Sequence, residues 1–260
     1  MSLLQANNLT RIFGGLAAVS DVSLEINENE LIGLIGPNGA GKTTLFNLLT
    51  GVYEPSAGTI ELNVKGKMKS IGGIPPYAIT KLGMARTFQN IRLFKNLTVL
   101  DNVKIAMSKN IKYGALTAIL RLPKYYEEEA KIDKLAWDLL EVVHLTEKGN
   151  ELAKNLPYGE QRRLEIARAL ATEPKILFLD EPAAGMNPQE TKDLTVLIRR
   201  LQKQFGLTII LIEHDMSLVM SLCERIYVLD YGKCIASGNP EEIRNNPRVI
   251  EAYLGEGAEC

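Results

Sequence analysis

The chain has 260 residues, a length at which a large domain buries about 70–75% of its unfolded surface and needs no disulfide or metal. Apolar residues make up 46% and charged residues 23%, ordinary globular proportions that exclude wholesale disorder. The formal net charge of −1 argues against a nucleic-acid partner held on a broad basic face.

Residues Met1 to Phe13 lack a basic start followed by a long apolar run, so no signal peptide is expected. No stretch approaches the ~20 apolar residues of a membrane span, so a soluble protein is expected, with docking on a membrane partner left open. Asp21 to Ile26 alternates, placing Val22, Leu24 and Ile26 on one side, and Gly58 to Leu62 does the same. Both segments predict strands of a half-exposed antiparallel sheet. Between them, Leu31 to Ile35 is an unbroken apolar run, which predicts a strand buried on both faces.

That run leads into Gly36-Pro37-Asn38-Gly39-Ala40-Gly41-Lys42-Thr43, a match to G-x-x-x-x-G-K-[ST] at every fixed position. Thr44 to Leu49 predicts the helix that follows. Glycines let backbone N–H groups wrap phosphate oxygens, and the helix start adds a positive dipole end. Lys42 is expected to reach the β- and γ-phosphates, Thr43 to bind Mg²⁺ through its hydroxyl, and Thr44 to lie near the α-phosphate. The series Gly33, Gly36, Gly39 lacks the dinucleotide-binding spacing.

Val64 to Pro76, rich in Gly, Pro and Lys, predicts turn and loop, with Lys65, Lys67 and Lys69 solvated. From Ile91 to Leu156 the pattern is helical. Ile132, Leu135, Leu139 and Val142 predict one buried helix face, Lys124 to Asp133 its exposed start, and Trp137 a packing residue off that face. A second apolar run, Ile176 to Leu179, ends in Asp180-Glu181-Pro182. The proline predicts an extended backbone at Glu181 and puts both acids at the strand exit, where open α/β sheets bind ligands. Asp180 suits the Mg²⁺ shell through water, and Glu181 can orient or deprotonate the attacking water. A third run, Thr208 to Ile212, ends in Glu213-His214-Asp215, which points His214 at a γ-phosphate. Each run precedes a helical pattern, so an α/β fold with a mainly parallel sheet is expected. His144 and His214, the only histidines, are too few for a zinc site. Cys223, Cys234 and Cys260 show no C-x-x-C spacing and are read as reduced thiols of a cytosolic protein.

Taken together, these residues resemble the ATP-binding subunit of ABC transporters over essentially the whole chain. The resemblance implies that Gln89, in Arg86-Thr87-Phe88-Gln89-Asn90, touches Mg²⁺ and the water and links to a transmembrane partner. It implies that Phe13 stacks on adenine. Leu156-Pro157-Tyr158-Gly159-Glu160-Gln161 falls at the family's signature, so Tyr158, Gly159 and Glu160 would meet the nucleotide across a dimer. Ala184-Gly185-Met186-Asn187 falls at the D-loop, and His214 at the switch histidine. The implied fold is a P-loop (RecA-like) core over 1–90 and 157–260 with an antiparallel β subdomain, interrupted by a helical subdomain over 91–156. The implied cofactors are ATP and Mg²⁺. The implied partners are transmembrane permease subunits, a second ATPase subunit and, indirectly, a substrate-binding protein, at the cytoplasmic face of the plasma membrane.

Thr87 to Phe94, Leu97 to Val103 and Pro247 to Glu256 are similar to LivG-type subunits of branched-chain amino-acid importers. An exporter ATPase, such as one serving lipopolysaccharide, is the alternative within the family. A soluble ABC-type ATPase or a P-loop kinase is the alternative outside transport. Phe94, Leu97 and Val99 are expected either at a permease dock or in the core. Three residues depart from the family pattern. Pro157 and Tyr158 stand where the signature has serine and its first glycine, and Asn187 where the D-loop has aspartate. Proline offers neither hydroxyl nor N–H, so a weaker contact across the dimer is expected, and with it one slower site in an asymmetric pair.

Overall fold

A computed structural model describes residues 2–110 and 114–255; Glu256 and Cys260, named above, lie outside them. In chain order the elements begin β1 (Ser2–Phe13), β2 (Leu16–Asn27), β3 (Leu31–Ile35), α1 (Lys42–Leu49), β4 (Ala57–Val64), β5 (Lys67–Ser70), α2 (Pro76–Lys81) and β6 (Met84–Arg86). Helices α3 (Val99–Ala106), α4 (Ala115–Ile119), α5 (Pro123–Val142) and α6 (Tyr158–Leu170) follow. The chain then runs through β7 (Ile176–Asp180), α7 (Pro188–Phe205), β8 (Thr208–Ile212), α8 (Met216–Leu222), β9 (Arg225–Asp230), β10 (Lys233–Gly238), α9 (Pro240–Arg244) and α10 (Pro247–Gly255).

Packing divides the chain into two units, residues 1–89 with 175–260, and residues 90–174. Among the described residues the first unit carries two sheets. One has the order β2-β1-β4-β5, antiparallel throughout. The alternation read at 21–26 and 58–62 falls on β2 and β4. The stretch 64–76, expected to be turn and loop, instead contains β5, which pairs with β4 around a turn at Lys65 and Gly66. All four β5 residues are exposed, so no burial pattern marks it; backbone pairing along the sheet edge holds it there.

The second sheet has the order β10-β9-β3-β8-β7-β6. The strands β9, β3, β8, β7 and β6 are parallel, and β10 joins antiparallel at the edge. All residues of β3, β7 and β8 are buried, which is why they read as unbroken apolar runs. Phe46 of α1 and Phe178 of β7 meet edge to face at 5.2 Å in the core beneath the sheet. Chain order reverses at β3, with β8 on one side and β9 on the other, and ligands bind at the carboxyl ends of strands at such a point.

The second unit is helical. Thr98 caps α3 by accepting from the Asp101 N–H at 3.0 Å, and Pro123 opens α5 at a position that needs no donor. The buried stripe of α5 matches the expected one in part: Ile132 and Val142 are buried and Leu139 packs against the core. Ile132, Ala136 and Leu140, with Val143 just beyond, are buried, while Leu135 is 50% exposed. Ala136 fills the facing position at close range, and a pattern weighted to large side chains misses it. Trp137 packs against this core, over Gly149, where a Cβ would overlap the indole. Val99 is fully buried in the core, whereas Phe94 is exposed. Leu164, Ala167 and Ala171 of the signature helix segment also belong to this core. Residues 157–174 therefore join the helical unit, not the nucleotide-binding core to which the expected boundary assigned them.

Candidate functional site

The phosphate loop is built where β3 stops. Gly36 (φ 149°) and Gly41 (φ 97°) have no room for a side chain: a Cβ would overlap the carbonyl oxygen of Leu229 in the first case and of Ala18 in the second. The loop is pinned from both sides. The Gly232 N–H donates to the Ala40 carbonyl at 3.0 Å, and the Ser20 N–H to the Gly232 carbonyl at 2.8 Å. Pro37 and Ala40 are buried, while Asn38 and Gly39 stand at the surface. Helix α1 starts at Lys42 with no side-chain cap, so the N–H groups of its first turn, including those of Thr43 and Thr44, are without the usual side-chain acceptor. Lys42 Nζ is buried and donates to the carbonyls of Gly36 (2.6 Å) and Pro37 (2.7 Å). The lysine thus curls over the loop's own rim. A cradle without Cβ atoms, an uncapped helix start and a buried ammonium form a donor set for an anion of several oxygens.

The three expected catalytic residues meet. Glu181 Oε1 lies 2.9 Å from His214 Nε2, and Gln89 Nε2 donates to Glu181 Oε2 at 2.7 Å. The Glu181 side chain is 15% exposed and that of His214 is 48% exposed, so the cluster opens to solvent on the histidine side. The extended backbone expected at Glu181 is corrected: its φ is 45°, in the left-handed region. The Glu181 N–H donates to the Ile212 carbonyl at 3.0 Å, which ties the turn to β8 and overrides the local preference set by Pro182.

Asp180 is held differently. Its Oδ2 forms a 2.6 Å ion pair with Arg86, both side chains being nearly buried. The residue after β8 also has a task that the sequence did not suggest. Glu213 is buried, and its carboxylate accepts from the N–H groups of Ala183 (2.7 Å) and His214 (3.2 Å). Burial pushes its carboxyl above the ordinary range, against the pull of those N–H groups. One acid therefore ties the segment after Glu181 to the histidine loop. An acid at the exit of a buried strand was the available signal. Asp215 caps α8, and its hydrogen bonds, first from the Ser217 hydroxyl, hold its carboxyl below the usual value.

The remaining expected residues have their own local settings. Phe13 is 38% exposed, with Tyr53 at 5.3 Å edge to face and the Arg11 guanidinium 4.6 Å from its ring centre. Tyr158, Gly159 and Glu160 form the first turn of α6 in the helical unit. Pro157 is its N-cap and makes no side-chain cap bond; Gln161 Nε2 donates to the Leu156 carbonyl at 2.8 Å. Arg162 of the same helix is fully buried and paired with Glu165 at 2.8 Å. Asn187 is the N-cap of α7, accepting from the N–H groups of Gln189 and Glu190, while Glu190 reciprocates. Its side chain is thus committed to starting the helix. Cys223 and Cys234 are not joined in a disulfide, and burial raises both thiols. No helix among the described residues is long and apolar enough to cross a membrane.

A phosphate loop at the switch point of a parallel sheet, with an acid, a glutamine and a histidine converging at the neighbouring strand ends, defines a P-loop ATPase of the ATP-binding cassette type. Residues 19–184 match the sequence pattern of the ABC transporter family, and residues 233–259 that of the branched-chain amino acid ATP-binding cassette transporters. The chain is 51% identical over 98% of both chains to the high-affinity branched-chain amino acid transport ATP-binding protein LivG of Salmonella typhimurium. It is 48% identical, over the same shares, to BraF of Pseudomonas aeruginosa, which bears the same description. An ATP-binding cassette of an ABC transporter solved in its ADP conformation superposes with a TM-score of 0.83 at 30% identity, over 98% of this chain and 99% of that one. The chain belongs to the ABC transporter family.

Proposed function

We propose that this chain is the ATP-hydrolysing subunit of an importer for branched-chain amino acids, bound to permease subunits at the cytoplasmic face of the membrane. The substrate class is supported by the identity with LivG over nearly the full length and by the match of the C-terminal segment to the branched-chain subgroup. Both favour import over the exporter reading. The single observation that carries the chemistry is the Gln89–Glu181–His214 cluster at the mouth of the phosphate loop's sheet.

In this reading the N–H groups of residues 39–44 and Lys42 hold the triphosphate, and Phe13 takes the adenine. Lys42 exchanges its bonds to the Gly36 and Pro37 carbonyls for phosphate oxygens. Thr43, Gln89 and Asp180 offer the hard oxygen ligands that suit Mg²⁺, which when bound neutralises charge on the phosphates. Glu181 accepts the proton of a water whose oxygen bonds to the γ-phosphorus as the bond to the bridging oxygen breaks, leaving ADP and phosphate. Each carboxylate oxygen has two acceptor sites, so Glu181 can hold that water while still bonded to Gln89 and His214. His214, bonded to Glu181 at 2.9 Å, would orient that carboxylate and contact the γ-phosphate.

A second ATPase subunit completes the site in this reading, through Tyr158, Gly159 and Glu160 of its own signature helix or their counterparts. The nucleotide then favours the closed pair, and its hydrolysis releases it. Glu181→Gln tests the chemistry. The variant should bind ATP as the wild type does and release phosphate about 10²–10⁴-fold more slowly. Turnover at the wild-type rate would remove Glu181 from its role.

A further inference from the structure

Arg86 ends the edge strand β6, three residues before Gln89. Its Nη2 pairs with Asp180 Oδ2 at 2.6 Å, with side-chain exposures of 8% and 5%. Its Nη1 donates to Asn47 Oδ1 at 2.6 Å and Thr50 Oγ1 at 3.1 Å, on and just after α1. The guanidinium carbon also stands 5.7 Å from the Phe46 ring centre and 5.3 Å from that of Phe88. A single planar group therefore joins the edge strand, the helix that grows from the phosphate loop, and the strand that ends in Asp180.

We propose that Arg86 is a positioning residue for the divalent cation that accompanies the nucleotide. It acts through Asp180. A carboxylate this buried needs a compensating charge, and Arg86 supplies it through Oδ2. The other oxygen, Oδ1, takes no part in that pair and is left for the water shell of the cation. The bonds to Asn47 and Thr50 fix the guanidinium to α1, so Asp180 is held in register with Thr43 of the same helix. An ammonium would match the charge but not the two divergent directions that the planar fork satisfies. Partners that orient a cation ligand in this way typically matter about 10–100-fold in metal affinity.

This inference rests on the reading of Asp180 as the cation-side acid, and the test separates the two. Equilibrium binding of a fluorescent ATP analogue is measured with Mg²⁺ and with EDTA, for the wild type, Arg86→Gln, Arg86→Lys and Asn47→Ala. In the wild type Mg²⁺ should tighten binding. Arg86→Gln should cut that Mg²⁺-dependent gain by about tenfold while affinity in EDTA stays within about twofold. Arg86→Lys should stay within about threefold of the glutamine variant, because charge without the fork does not hold both partners. Asn47→Ala, which keeps the ion pair and loosens its anchor, should lose part of the gain and keeps the test alive if Arg86→Gln does not fold. A full Mg²⁺ gain in Arg86→Gln, or complete recovery by lysine, would overturn the inference. An equal loss in EDTA would also overturn it, since Arg86 would then merely shape the phosphate loop. A wild type indifferent to Mg²⁺ would overturn the reading of Asp180 itself.

Discussion

Glu181 carries its carboxylate on a backbone with φ of 45°, where a Cβ crowds the carbonyl. Comparing Glu181→Gly with Glu181→Ala isolates that strain. Both variants lose the bonds to Gln89 and His214, so those losses cancel. The left-handed conformation costs a residue with a Cβ about 1–2 kcal/mol, and glycine escapes it. Glycine gives back about 0.5–1 kcal/mol through the greater freedom of its unfolded chain. The glycine variant should therefore be more stable than the alanine variant by about 0.75 kcal/mol, within a range of roughly 0–1.5 kcal/mol, or ~2–3 °C in melting temperature at the central value for a chain of this size. Urea unfolding followed by circular dichroism, with both variants measured at equal slope, reads the difference directly. Both should be equally poor ATPases. An alanine variant more stable than the glycine variant would show that the turn at Glu181 stores no strain and refute the reasoning.

Three further outcomes are expected. Burial raises the Glu213 carboxyl, so the folded state keeps that proton to higher pH than the unfolded chain; its stabilising effect is full below the ordinary carboxylate pKa and is lost as pH rises through the raised value. The melting temperature of Glu213→Gln relative to wild type should therefore rise as the pH is raised above the ordinary carboxylate value, and a flat or falling difference would contradict this. Asn187→Ala removes both acceptor bonds of the α7 cap and should cost about 0.5–2 kcal/mol in urea unfolding, whereas Asn187→Asp should be neutral or stabilising. Pro157→Ser gives α6 a hydroxyl at its N-cap with Glu160 three residues on, a capping box worth about 0.5–1 kcal/mol; hydrogen exchange in the first turn of α6 should slow, and unchanged exchange would count against the cap.

The phosphate loop was legible because its glycines, lysine and threonine sit in a contiguous row, and the strands beneath it because burial on both faces leaves mainly apolar residues. Glu181 and His214 were legible as polar residues at the exits of buried strands, whereas Gln89 joined them only through the resemblance to the ABC family. What stayed hidden depends on backbone geometry or on distant partners. The edge strand β5 is made of exposed residues and is defined by pairing alone. The first strand β1 was not read as a strand, although Leu4, Ala6 and Leu9 are buried, because a bulge at Asn7 and Asn8 interrupts its alternation. The Glu181 turn follows from a bond to Ile212, some thirty residues away in the chain. Arg86 and Glu213 are anonymous charges in a linear reading; only burial, with the partners it forces on them, gives them tasks.

The boundary between the two units falls between Gln89 and Asn90. The last residue of the nucleotide-binding unit is thus also the one whose amide grips the Glu181 carboxylate. A displacement of the backbone at residue 89 would therefore reach Glu181 directly, through a 2.7 Å hydrogen bond.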